Sequence, residues 1–259
     1  MLTVTAETDC IPNPESMALV PDTDNTGVGK IQISDFTRNR VNLSTGRFFV
    51  RTNFYFKEEI TMKKKILCVT EGAIMIALAF VLELVCVWLN TISGVGALLP
   101  FGGTITISML PIAYYSFRRG IGWGVGVGFV YSLLQMMLGF YVPPANTWWA
   151  VALCVLLDYV IAFSVVGVAD VFARLFGKRR LVGYGVGAVV VCVIRFLCSF
   201  LSGVILWGSY APENMNVWVY SLAYNASYML PNAILTGALA VIVCVALDPK
   251  TLRPMKKRI

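Results

Sequence analysis

The chain has 259 residues, of which 58% are hydrophobic and 14% charged, a balance that excludes an ordinary soluble domain. Its formal net charge of +7 comes from basic segments between apolar runs, so we expect no nucleic-acid partner. The chain contains no histidine, and its seven cysteines form no CxxC pair. We therefore expect no metal site, no cofactor and no histidine-based catalysis.

Residues 1–61 differ in composition from everything that follows. They are rich in Pro, Asp, Thr and Asn and show no lasting hydrophobic periodicity. They are no signal peptide, because no apolar core follows a basic start. Met62, followed by three lysines, resembles a natural start of translation. We predict two regions: an extension over 1–61 that is disordered or not truly part of the protein, and a membrane domain over 62–259.

The membrane domain contains six apolar runs that predict transmembrane helices. Continuous runs, rather than alternating ones, favour helices over a barrel. The second run is short, and Pro231 interrupts the sixth, where a kink is expected. We predict an all-α integral membrane protein with six transmembrane helices, at residues 66–89, 104–117, 120–138, 148–172, 181–207 and 217–247.

Basic residues are confined to one side of this predicted topology. The connections at 90–103, 139–147 and 208–216 contain no Lys or Arg. The positive-inside rule then places the other side, and with it both termini, in the cytoplasm. The basic segments are 63–65, 118–119, 174–180 and 250–258.

The outward-facing stretch over 205–232 is crowded with aromatic and amide side chains and carries a single charge, Glu213. On a helix, Ser221, Asn225 and Tyr228 share one face. Two interpretations remain open. The aromatic residues form a belt at the bilayer interface, or they form the wall of a small-molecule pocket.

Ionisable groups inside the predicted spans are few. Glu71, Glu83 and Asp170 are expected to reach an interface. Asp158 lies about 15 Å from the outer start of its helix, where a carboxylate needs a partner or a wet cavity. An ion pair with Arg195 is one possibility. A site for a cationic solute, with aromatic faces beside the carboxylate, is the other.

Small residues recur at four-residue spacing in two of the spans. Gly120, Gly124 and Gly128 predict close helix packing. Ala73 and Ala77 predict either internal packing or docking of a partner's helix, and the spacing does not choose between them.

No P-loop pattern and no pairing of nucleophile with base occurs, so we do not expect an enzyme or an ATPase in this chain. An intramembrane enzyme using Asp158 is the rival class. It lacks a second titratable group to complete the chemistry. A transporter or a substrate-binding subunit is the better interpretation.

Three segments, at 100–120, 156–163 and 202–231, resemble the thiamine-specific substrate-binding subunit (S component) of energy-coupling factor transporters. The resemblance covers residues 66–247. It implies a six-helix S component in a bacterial cell membrane that captures thiamine at the outer face. It also implies partners, namely a transmembrane coupling subunit and two cytoplasmic ATPase subunits.

The resemblance also implies individual site residues. The acidic–Tyr pair of the fourth helix falls on Asp158 and Tyr159, although many members have Glu in place of this Asp. Ser199 stands where some members have His. The docking motif for the coupling subunit falls on Ala73 and Ala77. The other implied substrate contacts are Trp148, Trp207, Tyr220 and Asn225.

Alternatives within transport are uptake of another amine or pyrimidine vitamin precursor, and solitary, proton-coupled transport of thiamine.

Overall fold

A computed structural model describes residues 17–19, 31–33, 43–98, 103–145, 147–177 and 179–254, with side chains from Met62 onward except Leu98. The chain divides into two units, Met1–Lys63 and Lys64–Ile259. In the first unit, strands β1 (Met17–Leu19) and β2 (Ile31–Ile33) pair antiparallel, with Met17 opposite Ile33. The prediction for residues 1–61 falls partly outside the described residues and stays a prediction.

The described part of the second unit is all-helical, as predicted. Five of its helices are long and apolar enough to cross a membrane, namely α1 from Met62 onward and α4 to α7, so the chain is a multi-pass membrane protein. A 3₁₀ turn at Gly208–Tyr210 lies between α6 and α7. The described helices of the whole chain, of which α1 begins within the first unit, are α1 (Leu43–Ile92), α2 (Val95–Leu98), α3 (Met109–Arg119), α4 (Ile121–Leu138), α5 (Trp148–Arg174), α6 (Arg180–Leu206) and α7 (Val217–Ala246).

The second predicted span differs from the prediction. Helix α3 begins at Met109 rather than at residue 104, and its 11 residues are too few to cross a bilayer alone. Residues 103–107 are not helical. The alternation Thr104-Ile105-Thr106-Ile107 explains this, because β-branched side chains favour extended backbone. Every residue of α3 from Met109 to Phe117 is buried, so α3 is the central helix of the bundle.

The glycines at four-residue spacing before and within α4 serve two purposes. Gly120 has φ +90° and forms the turn between α3 and α4, a conformation that side chains rarely adopt. A Cβ atom on Gly124 would lie 2.4 Å from the Gly167 carbonyl, and one on Gly128 would lie 2.5 Å from that of Phe163. The predicted close packing therefore holds at Gly124 and Gly128, where the backbones of α4 and α5 touch.

Helix α5 changes its winding along its length. It is α-helical at Trp148–Cys154, π-helical at Val155–Ile161 and 3₁₀ at Val165–Val168 before it ends. Asp158 lies within the π-helical turn. Such turns are rare in proteins, and those that do occur are often found at functional sites.

Helix α7 runs through Pro231 and packs along α6. The missing amide of a proline is tolerated in membrane helices because neighbouring groups satisfy the freed carbonyl. Close packing rests on glycine: a Cβ atom on Gly203 would lie 2.2 Å from Ser221 Oγ, and one on Gly237 would lie 2.5 Å from Val189 Cγ2.

Ion pairs tie one end of the bundle together. Glu71 accepts hydrogen bonds from Arg118 at 2.7 Å and from Arg119 at 2.6 Å, which joins α1 to α3. Asp170 accepts from Arg174 Nε at 2.7 Å and lies 3.9 Å from Lys250 Nζ. We name the end of the bundle that contains these paired residues the basic end. Its position in the cytoplasm remains a prediction.

Candidate functional site

A cavity of about 380 Å³ lies in the half of the bundle remote from the basic end. Helices α1, α4, α5, α6 and α7 and the extended segment before α3 all contribute to its wall. Its volume falls within the roughly 300–1,000 Å³ of small-molecule sites. The predicted site residues in its lining are Asp158, Tyr159, Ser199, Trp207, Tyr220 and Asn225.

Asp158 joins α5 to α6 at the centre of this wall. Its Oδ2 atom accepts hydrogen bonds from Ser202 Oγ at 2.5 Å and from Trp207 Nε1 at 3.5 Å. The thiol of Cys154, one turn earlier, lies 3.5 Å from the same oxygen. Neutral donors thus satisfy one oxygen of the carboxylate, and the cavity contacts the same side chain.

The ion pair between Asp158 and Arg195 does not form. The guanidinium carbon of Arg195 lies 4.0 Å from the ring centroid of Phe163, a cation–π contact. The Nε and Nη1 atoms of Arg195 are buried without a hydrogen-bond partner. Arg195 also lines the cavity, so its positive charge and the Asp158 carboxylate face the same space separately.

Two groups of aromatic rings frame the cavity. The rings of Trp207 and Tyr210 stack with centroids 6.0 Å apart. On α7, Tyr220 and Tyr224 stack at 6.1 Å, and Tyr224 meets Tyr228 edge to face at 5.8 Å. All five residues line the cavity. Their faces carry the negative quadrupole that attracts a desolvated cation.

Asn225 supplies a fixed amide on the α7 side of the cavity. Its Nδ2 atom donates to the Ser221 carbonyl at 2.9 Å, and its Oδ1 atom accepts from the Tyr228 hydroxyl at 2.7 Å. The side chain is only 4% exposed. An amide oxygen has two lone pairs, so Oδ1 retains capacity for a ligand donor.

Tyr159 both lines the cavity and secures the connection between α4 and α5. Its hydroxyl donates to the Gly139 carbonyl at 3.0 Å and lies 3.4 Å from the Tyr141 amide nitrogen. Its ring contacts Phe140 with centroids 5.6 Å apart. Tyr141, held in this way, contributes a further aromatic ring to the lining.

Trp148, by contrast, is not among the residues that line the cavity. It is the first residue of α5, and its side chain is 84% exposed. Tyr141 is the aromatic residue that this part of the chain contributes instead. Ala73 and Ala77 lie outside the cavity lining as well and are exposed along α1.

Glu83 departs from the sequence prediction, which placed it at a membrane interface. Its side chain is 7% exposed and lines the cavity. Thr106 Oγ1 donates to Glu83 Oε2 at 2.7 Å, and Thr104 Oγ1 donates to Oε1 at 3.3 Å. Both donors come from the segment predicted as helix. The signal that could have revealed this contact is the Thr-Ile alternation, which presents both threonines on one side of an extended chain.

Two asparagines that the sequence analysis did not single out hold the extended segment in place. Asn232 accepts from the Thr106 amide at 2.7 Å and donates to the Thr104 carbonyl at 3.0 Å. Asn90 donates to the Ile105 carbonyl at 2.8 Å. Non-helical backbone inside a membrane is stable only where such partners satisfy its polar groups.

The chain is similar to known proteins both in sequence and in fold. The model of the family described as thiamine transporter protein matches residues 69–252. The thiamine transporter ThiT of Bacillus subtilis is 33% identical over 196 residues, covering 72% of this chain and 93% of that protein. The ThiT of Lacticaseibacillus paracasei is 29% identical over 186 residues, covering 67% and 84% respectively. A solved structure of ThiT from Listeria monocytogenes has a TM-score of 0.57 at 22% identity, covering 74% of this chain and all of that one, and shows the same fold.

Proposed function

This chain belongs to the thiamine transporter protein family, and from that premise we propose that it captures thiamine at the outer face of a bacterial cell membrane. The observation that carries the proposal is the placement of Asp158 and Trp207 in one cavity, with Oδ2 and Nε1 3.5 Å apart. A carboxylate beside a large aromatic face suits a permanent cation that cannot lose its charge on leaving water.

Thiamine presents the two chemistries that this cavity could meet. Its thiazolium ring carries a fixed positive charge, for which Asp158 and the rings of Trp207 and Tyr220 are the proposed partners. Its aminopyrimidine has donor and acceptor edges, for which Asn225 is the proposed partner, with Tyr159 and Ser199 as further contacts. A site that hydrogen-bonds those edges rejects analogues lacking them more strongly than an apolar pocket would.

The proposal extends to partners, because this chain carries no ATP-binding loop of its own. We propose that a transmembrane coupling subunit and two cytoplasmic ATPase subunits drive import. Ala73 and Ala77 on the exposed surface of α1 are the proposed docking contacts. Replacing both with Trp should abolish uptake by cells and leave thiamine binding by the purified protein unchanged. Uptake that persists in cells lacking these partners, and that collapses with the proton gradient, would favour solitary transport.

The test of the substrate is a titration of the purified full chain in detergent with thiamine, followed by intrinsic tryptophan fluorescence. Saturable quenching at submicromolar thiamine is expected, and Trp207→Ala should abolish it. Quenching by another amine or pyrimidine, with none by thiamine, would preserve the fold and refute the assigned substrate.

A further inference from the structure

The cavity lining contains a second carboxylate besides Asp158, that of Glu83. Glu83 projects from α1, and its side chain is 7% exposed. Among the described residues, no Lys or Arg nitrogen lies within 4.0 Å of its carboxylate. By contrast, Glu71 on the same helix is fully engaged by Arg118 and Arg119. A buried carboxylate in a membrane without a paired cation is costly unless a ligand or a wet cavity compensates it.

Two threonine hydroxyls donate hydrogen bonds to the Glu83 carboxylate. Thr106 Oγ1 accepts from the Ser108 amide at 3.1 Å, which leaves its own hydrogen directed at Glu83 Oε2, 2.7 Å away. Thr104 contributes a second hydroxyl. Asn232 fixes this arrangement by holding the backbone of both threonines.

The charges in the lining suit a ligand with one positive charge. The charged residues of the described lining are Glu83, Asp158 and Arg195, which leave one net negative charge when all are ionised. Arg195 neutralises neither carboxylate by direct contact, because no ion pair links it to Asp158 or Glu83 in the described part of the chain. A monovalent cation would balance the cavity, and a neutral solute would leave the negative charge uncompensated.

We propose that Glu83 is a binding residue for the positive charge of the ligand, acting together with Asp158, and that it makes the site selective for a monocation over a neutral analogue. This inference rests on the proposed function, since it identifies which residues recognise the charge of thiamine. It assigns the extended segment a role as well. Thr104 and Thr106 position the carboxylate, and Asn232 positions the threonines.

The experiment measures the dissociation constants of two probes, thiamine and a neutral aminopyrimidine that lacks the thiazolium. Glu83→Gln keeps the shape and removes the charge, so it should weaken thiamine binding about tenfold or more. Its affinity for the neutral pyrimidine should stay within about twofold of that of the unmodified protein. Glu213→Gln, in the exposed connection between α6 and α7, is the matched control and should change neither constant.

A double variant keeps the test decisive if Glu83→Gln lowers affinity only because the protein misfolds. In E83Q/T106E the carboxylate is moved to position 106, whose side chain lies 2.7 Å from Glu83 in the unmodified protein. Most of the thiamine affinity lost in Glu83→Gln should therefore be restored. Unchanged thiamine affinity in Glu83→Gln would overturn the inference, as would equal weakening for both probes or a folded double variant without recovery. Failure of the unmodified protein to bind thiamine would refute the proposed function instead.

Discussion

Ser202 donates a hydrogen bond of 2.5 Å to Asp158 and thereby links α6 to the π-helical turn of α5. A π turn carries an additional residue in the helical repeat and redirects the side chains that follow it. Here the carboxylate lies against α6 and lines the cavity in the same position. The irregular winding of α5 therefore contributes to the position of Asp158 in the cavity lining.

Asp158→Asn tests whether the charge of this group is used in binding. The amide keeps the volume of the side chain and loses the charge, so thiamine affinity should fall about tenfold to a hundredfold. Fluorescence titration of the purified variant measures it, and Glu213→Gln serves as the control. A dissociation constant within about twofold of the original would remove Asp158 from the site.

Trp207→Phe tests the aromatic partner of Asp158. Phenylalanine retains a smaller π face and loses the indole N–H that lies 3.5 Å from the carboxylate, so affinity should fall several-fold. Trp218→Phe is the matched control, because Trp218 is 56% exposed and does not line the cavity. Equal effects of the two substitutions would point to general destabilisation rather than to a contact.

Trp148→Ala tests two conflicting indications about this residue. The family resemblance implies that Trp148 contacts the substrate, whereas the structure places it outside the cavity lining. With 84% of the side chain exposed and outside the lining, its loss should leave the thiamine dissociation constant within about twofold. The same titration in detergent gives the answer. A tenfold loss would show that this residue reaches the ligand when it binds, as the family resemblance implies.

Gly203→Ala tests the close contact of α6 and α7. The new methyl would lie 2.2 Å from Ser221 Oγ and 3.1 Å from Asn225 Nδ2, so the helices must separate and Asn225 must move. We expect a loss of about 1–3 kcal/mol in stability together with weaker binding. Gly126→Ala is the control, since nothing lies within 4 Å of its added methyl. Thermal unfolding in detergent compares them, and equal midpoints would contradict the packing.

Asn232→Ala tests the two hydrogen bonds that hold the extended segment before α3. The substitution leaves the Thr106 amide and the Thr104 carbonyl without their partner, at a cost of about 1–3 kcal/mol per buried group. The thermal midpoint should fall and thiamine binding should weaken, because Glu83 loses its fixed donors. Thr91→Ala removes only an exposed hydroxyl bond within α1 and should alter neither measurement.

Composition and residue spacing alone specified the class of protein and singled out candidate site residues. Long apolar runs predicted an all-helical membrane protein because twenty apolar residues have few other stable environments. Asp158 stood out because a carboxylate inside a membrane is costly. The motif at 202–231 indicated the family, and the family match confirms that resemblance. Such features are local, so composition and spacing reveal them.

Which side chains meet depends on the packing of the helices in the folded bundle. Glu83 and Thr106 are 23 residues apart in the chain, and Thr106 and Asn232 are 126 apart. Their contacts depend on how one helix is rotated and shifted against another, which hydrophobic periodicity does not specify. For the same reason the separation of Asp158 from Arg195, the exposure of Trp148 and the burial of Glu83 emerged only from the packed bundle. Long-range packing fixes these positions, whereas local sequence fixes the helices that carry them.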